Sequence, residues 1–383
     1  MVQHRQTRVL IINLEDVGRV IEPARFHAEG WHASTVNAIS TLTDLLGRES
    51  PDLVILNTIM PTERELGFCQ TIKDYGWSNH RYIPVILIGP QFSLDGRLQA
   101  WRNGADECFP HTFTEQELLE RAKMLLGLRE RIEENRQAQA RLQREIHRMT
   151  ALQRSFLPKQ FPTHPRFSIA ACYYPSSSVG GDYYDVFKLD EDHWAFLIAD
   201  IAGHGVVAAV IMAITQMAVR EFAPETHSPR MTLLLLNNIL ANHMPEYHFV
   251  TMFYSVLNVN EGWLRFSTAG HNPVMRYSAQ RKVVESLEIE PAFPLCTFEL
   301  DHIDEREVRL DAGDRLLFFT DGVLDLTDPA GAYYGSDRLM KAFANHAERP
   351  AAGLVDAIYQ DTEQFRQKAE RLDDYTMMAL SVE

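Results

Sequence analysis

From Leu128 to Leu157 the chain contains neither glycine nor proline, and that unbroken stretch constrains the layout of everything on either side of it. Leu125, Leu128, Ile132, Asn135, Gln139, Leu142, Ile146, Met149, Gln153 and Phe156 follow alternating steps of three and four residues, which is a heptad seam with Arg, Glu and Gln filling the other positions. At roughly 1.5 Å per residue such a helix extends about 45 Å. A helix this polar does not hold itself together in isolation, so it needs a partner. A parallel dimeric coiled coil through residues 125–156 supplies one; folding back on a flanking domain supplies another. The polar Asn135, Gln139 and Gln153 leave both open. The expected organisation is therefore residues 1–126, a helical coiled-coil linker over 127–157, and residues 158–383.

The first part alternates short apolar runs with amphipathic segments. "RVLIIN", "PDLVILN" and "YIPVILIG" are continuous, branched and Leu-rich, as strands buried on both faces of a parallel sheet must be. Helical patterns such as "AISTLTDLLGRE" and "LDGRLQAWRNG" lie between them, the second closing at Gly104. The fold class expected here is α/β, a doubly wound sheet. After Pro158 the period becomes mostly two. "FSIAACYYP", "YYDVFKL", "HWAFLIAD", "VTMFYSVLNV", "GWLRFSTAG" and "DRLLFFTDG" read as strands of antiparallel meanders, with helices at "VVAAVIMAITQMAVREF", "PRMTLLLLNNILANHM" and "AAGLVDAIYQDTEQFRQ".

Composition narrows the function classes. With 45% hydrophobic and 23% charged residues the chain reads as soluble and globular, and a formal charge of -15 opposes nucleic-acid binding. The four cysteines form no CxxC pair, so neither a zinc site nor a disulfide framework is expected. No apolar run approaches the roughly 18 residues of a membrane span, and the N-terminus lacks a signal-peptide core. A cytoplasmic location without membrane contact is the expectation.

The chemistry lies in the second part, where Asp repeatedly follows an apolar strand beside Gly. The instances are Asp182 in "VGGDYYD", Asp200 in "AFLIADIAGHG", Asp321 in "LLFFTDGVLD", and Asp373 and Asp374 in "RLDDYTMMAL". Each alone could cap a turn or helix. Together they imply converging carboxylates, an oxygen-ligand set that selects hard divalent cations. No GxSxG elbow or reactive-cysteine loop competes with that reading.

In order, "GGDYYD", "ADIAGHGVVAA", "FVTMFY", "STAGHNP", "GDRLLFFTDGVLD", "YG" before "SDRL", and "DDYTMMAL" run through residues 157–383. This segment resembles the stage-II-sporulation-E/RsbU-like branch of the PPM (PP2C-type) serine/threonine phosphatases. The resemblance implies two packed antiparallel sheets flanked by helices, and a binuclear Mn2+ or Mg2+ site between them. It implies metal ligation by Asp182, Asp200, the carbonyl of Ile201, Asp321 and Asp373, with Asp374 and Gly181 supporting them. His204 is a candidate proton donor or a turn residue, as is His271. At Cys296, relatives have Gly in "PLG", which puts the local turn in question. The implied substrate is a phosphorylated STAS-domain anti-sigma-factor antagonist, dephosphorylated by metal-activated water. The alternative is a catalytically silent phosphatase-like adaptor, whose signature would be loss of the aspartates that this chain retains.

Residues 1–126 resemble a response-regulator receiver domain through strand order, "PDLVILNTIMP" and "NGADECF". The family's acidic pair, acceptor Asp, Thr or Ser, and Lys are replaced here by Asn13 and Leu14, Asn57, Gly89 and His111. Only a carboxylate forms an acyl phosphate, so a pseudo-receiver is expected, controlled by a bound protein or ligand. Glu15 and Asp16 offer a displaced acidic pair.

Overall fold

The computed structural model describes residues 6–14, 17, 19–37, 41–59, 62–89, 92–242, 244 and 247–383. Glu15 and Asp16 lie outside them. The chain divides into two compact units, residues 1–143 and 144–383.

In the first unit the elements are β1 (Arg8–Asn13), α1 (Ala24–His27), β2 (His32–Val36), α2 (Leu42–Glu49), β3 (Leu53–Asn57), α3 (Glu63–Ser78), β4 (Val85–Gly89), α4 (Leu94–Arg102), β5 (Glu107–Pro110) and α5 (Glu115–Phe156), which runs on into the second unit. The sheet order is β2-β1-β3-β4-β5, with every pairing parallel. The continuous apolar runs fall where a doubly wound sheet requires: β3 and β4 are buried at every position. Separate apolar clusters cover the two faces, one containing Ile11, Ile55 and Leu119, the other Leu10, Leu56 and Ile72. Gly104, with φ +95°, stops the chain just beyond α4 as its sequence indicates.

The long helix begins inside the first unit rather than after it. Leu118, Leu119, Ala122, Leu125 and Leu126 belong to that unit's core, and Arg129 pairs with Asp52 at 2.8 Å. Leu125 is thus a core residue. At the other end Gln153 is also buried, against residues of the second unit. Between them Leu128, Ile132 and Leu142 remain 46%, 38% and 58% exposed, so the seam lacks an apolar cover over its middle turns.

In the second unit follow β6 (Phe167–Tyr174), β7 (Tyr183–Lys188), β8 (His193–Ile201), α6 (Val206–Phe222), α7 (Pro229–Ala241), β9 (Val250–Asn258), β10 (Trp263–Ala269), β11 (Met275–Ser278), β12 (Val283–Ser286), β13 (Arg306–Arg309), β14 (Arg315–Phe319), α8 (Asp321–Leu324), α9 (Gly335–His346), α10 (Ala351–Arg366) and β15 (Tyr375–Val382). Two antiparallel sheets form, ordered β13-β10-β9-β8-β7 and β12-β11-β14-β15-β6. Their inner faces share one core in which Phe253 of β9 meets Phe318 of β14 edge-on at 5.8 Å. Helices α9 and α10 pack in a second cluster with Tyr375 and Met377 of β15.

The expectation that no segment approaches a membrane span is corrected at α6. Val206–Glu225 is 20 residues long, and by length and composition alone it is apolar enough to cross a membrane. Its apolarity has another use, since Ala208, Ile211, Met212 and Val219 of α6 are buried in the core of the second unit. β7 and α6 are fastened by an ion pair between a buried carboxylate and a half-exposed arginine: Arg220 donates through Nε and Nη2 to Asp185 at 2.7 and 2.6 Å, and the Tyr183 hydroxyl donates to the same carboxylate.

Candidate metal centre

Antiparallel pairing places the start of one strand beside the end of its neighbour. Asp182 precedes β7 and Asp200 lies near the end of β8, where Tyr183 pairs with Ala199. In the other sheet Asp321 follows β14, while Asp373 and Asp374 precede β15, where Phe319 pairs with Met377. The two sheet ends face each other: Thr320 donates its hydroxyl to Asp182 Oδ2 at 2.9 Å, and Thr376 donates to the same oxygen. Asp182 is therefore gripped from just beyond β14 and from β15, although the strand it leads into lies in the opposite sheet.

The carboxylates act on one another. Burial, then the charges of Asp200 and Asp374, hold Asp182 well above the usual carboxylate range. Burial and the neighbouring Asp321, Asp373 and Asp374 push Asp200 up to about 7. Asp321 and Asp373 are raised as well, first by burial. Such a cluster is unfavourable as bare anions, and a bound cation would replace their mutual repulsion with attraction.

Backbone completes the oxygen set. A Cβ on Gly181 would lie 2.8 Å from the Ile201 carbonyl, and one on Gly180 would collide with Asp374 and the Tyr173 hydroxyl, so both glycines are needed for close approach. Asp374 is not among the cluster's exposed members. Its Oδ2 accepts from the Gly181 N–H at 2.5 Å and its Oδ1 from the Ser176 N–H at 2.8 Å, which fixes the loop carrying Asp182. Carboxylates with a carbonyl, and no thiolate, are the donors hard divalent cations take, so these residues fit Mn2+ or Mg2+.

His204 is exposed, and its charge bears on Asp373. His271 is buried: Nδ1 accepts from the Thr251 hydroxyl at 2.8 Å and Nε2 donates to the Phe319 carbonyl at 3.2 Å. Burial pushes its pKa down to about 4, so it is a neutral tie between β9 and the strand leading to Asp321. Cys296 adopts φ +71°, the left-handed conformation a glycine would take in that turn, and its N–H donates to Asn237 Oδ1 at 2.7 Å. Sequence reasoning missed Thr320, Thr376 and Ser176, although the two threonines adjoin metal-motif aspartates in "TDG" and "DDYT". A separate cluster of Asp190, His193 and His227 sits at the opposite end of the β7–β8 hairpin. Its imidazoles stack at 4.3 Å, and each turns a ring nitrogen to the Asp190 carboxylate, His193 Nδ1 at 2.9 Å and His227 Nε2 at 3.0 Å.

In the first unit Asn13 and Asn57, the last residues of β1 and β3, come together with His111, just after β5. The Asn57 amide donates to Asn13 Oδ1 and to the Arg19 carbonyl, both at 2.8 Å, and its Oδ1 lies 3.2 Å from His111 Nε2. Asn13 also exchanges hydrogen bonds with the Ile21 backbone, and the Leu14 N–H donates to the Asn57 carbonyl. Gly89 contributes only its carbonyl, which accepts from the His111 N–H at 2.7 Å. Partial burial lowers the His111 pKa. The Arg19 guanidinium joins the network by donating to the His111 and Phe113 carbonyls at 3.2 and 2.8 Å.

Two antiparallel sheets closing on paired strand-end aspartates define a PPM-type phosphatase fold, beside a receiver-like parallel sheet. The Stage II sporulation protein E (SpoIIE) family matches residues 190–383, and the chain belongs to that family. It is 28% identical over 268 residues to Protein IcfG of Synechocystis sp. (strain ATCC 27184 / PCC 6803 / Kazusa), covering 62% of this chain and 41% of that protein. Phosphoserine phosphatase RsbU of Bacillus subtilis (strain 168) is 28% identical over 243 residues, covering 63% of this chain and 71% of RsbU. Response regulator PleD of Caulobacter vibrioides is 28% identical over 134 residues, 35% of this chain and 29% of PleD. Among solved structures, the SiaA-PP2C domain of Pseudomonas aeruginosa superposes with a TM-score of 0.56 at 20% identity, covering 64% of this chain and 98% of that domain.

Proposed function

We propose that this chain is a divalent-metal-dependent protein serine/threonine phosphatase. Its metal ligands are Asp182, Asp200, the Ile201 carbonyl, Asp321 and Asp373, with Asp374 and Gly181 holding the ligand loop. The observation that carries the reading is the convergence of aspartates from two strand ends of each sheet, with the pKa values of Asp182, Asp200, Asp321 and Asp373 raised by burial and by neighbouring carboxylates. Bound Mn2+ or Mg2+ supplies an activated water and clamps the phosphoryl oxygens. The chain's own contribution is to hold the carboxylates in place for the cations, with Thr320 and Thr376 fixing Asp182 and the neutral His271 fixing the approach of Asp321.

Likeness to RsbU supports a phosphoserine substrate, and we assign a phosphorylated STAS-domain protein of a partner-switching pathway. Residues 1–126 act as a pseudo-receiver that binds a protein or ligand regulator. Residues 127–157 link it, as a homodimeric coiled coil, to a phosphatase domain of residues 158–383. The exposed middle of the seam supports dimerisation. The deciding experiment is phosphate release from 4-nitrophenyl phosphate and from a phosphoserine STAS-domain protein, with Mn2+, with Mg2+ and with excess EDTA. Turnover that requires the cation supports the reading, whereas absence of turnover with either metal, or turnover that persists in EDTA, overturns it.

A further inference from the structure

The side chain of Gln153 stands out on a helix that is mostly solvent-facing around it: it is 5% exposed. Its Nε2 donates to the carbonyl of Gly180, and its Oε1 accepts the Gly180 N–H at 3.3 Å. One primary amide thus completes both hydrogen bonds of one backbone residue, the pattern a neighbouring strand would otherwise supply. One turn earlier, Thr150 donates to the Ser178 carbonyl at 2.7 Å. The last turns of α5 therefore clasp residues 178–180, the segment leading directly into Gly181 and Asp182.

That segment has no slack. Gly180 is pressed against Asp374 and Tyr173, Gly181 donates to Asp374, and Asp182 is held by Thr320 and Thr376. A group gripping the Gly180 peptide from outside consequently sets where the Asp182 carboxylate sits. Thr150 and then Gln153 are the two side chains through which α5 meets this segment.

We propose that Gln153 is a positioning residue for the metal centre, through which α5 holds the Gly180–Asp182 loop in its cation-binding geometry. The inference rests on the phosphatase reading above and deepens it by naming the contact through which the helix acts. Gln153 touches neither substrate nor cation; its effect passes through the Gly180 peptide. Groups that orient metal ligands typically change metal affinity about 10–100-fold when removed.

The test uses the full chain and Mn2+ itself. Free Mn2+ is read by electron paramagnetic resonance during titration, and 4-nitrophenyl phosphate turnover is followed across the same concentrations. Gln153→Met keeps the volume and removes both hydrogen bonds. It is expected to raise the Mn2+ dissociation constant about tenfold or more, with turnover at saturating Mn2+ largely restored. Gln137→Met, on the exposed surface of the same helix, is expected to match the parent. Thr150→Val is expected to move the constant in the same direction by a smaller factor, and it decides the matter if Gln153→Met does not fold. An unchanged Mn2+ constant in the variants overturns the proposal, and so does a loss of maximal turnover with the constant unmoved. A parent protein that neither binds Mn2+ nor turns over overturns the phosphatase reading itself.

Discussion

The side-chain amide of Asn57 donates to Oδ1 of Asn13 at 2.8 Å, so the two residues that would share a cation and a phosphoryl group in a working receiver bind each other instead. Asn57 is fully buried and Asn13 nearly so. Replacing Asn57 with Asp removes the donor, faces a carboxylate toward the Asn13 and Arg19 oxygens, and is expected to destabilise the first unit by about 1–3 kcal/mol. Thermal denaturation checks this. The parent is expected to gain no phosphoryl mass on incubation with acetyl phosphate.

Asp200→Asn is expected to separate activity from stability. With its pKa raised to about 7, Asp200 favours the fold when protonated: that contribution is complete below the unfolded value near 3.8 and is lost as pH rises through 7. Asn mimics the protonated form. The variant should therefore melt higher than the parent at pH 8 without metal, lose that advantage by about pH 4, and have little phosphatase activity. Melting curves in EDTA at both pH values, with turnover in Mn2+, test both halves.

Cys296 carries a left-handed backbone that costs a residue with a Cβ about 1–2 kcal/mol. Cys296→Gly is expected to recover part of this, offset by the greater freedom of glycine in the unfolded chain. The melting temperature should stay level or rise by a few degrees, and a large fall would contradict the strain.

Arg220→Met is expected to cost about 1–3 kcal/mol, because it removes the cation from the buried Asp185 carboxylate and leaves it the Tyr183 hydroxyl and the Val186 N–H. Replacing both, as Asp185→Leu with Arg220→Met, should recover part of the loss in urea denaturation, since no charge then lacks its counterpart.

Leu142 is 58% exposed on α5, with Ile146 one turn further on. Asp at both positions is expected to convert a dimeric parent to a monomer in sedimentation velocity, while leaving Mn2+ binding to the second unit intact. A monomeric parent at micromolar concentration would remove the coiled coil.

Patterns carried by neighbouring residues are legible in the amino-acid sequence alone. β1, β3 and β4 are continuous apolar runs because both their faces are covered, and that requirement is written along the strand itself. The aspartates are legible for a related reason: a carboxylate placed directly after an apolar strand, beside glycine, is costly unless several meet. What holds those aspartates is not legible. Thr320 and Thr376 reach Asp182 from the other sheet, and a hydrogen bond spanning 138 residues of sequence leaves no local period. The long helix shows the same division within one element. Heptad spacing identifies a face on α5 but not what covers it: Leu125 packs in the core of the first unit and Gln153 on Gly180, and only the turns between them stay open for a partner. Periodicity records which side of a helix is turned away from water, whereas the identity of the covering surface is settled by tertiary packing.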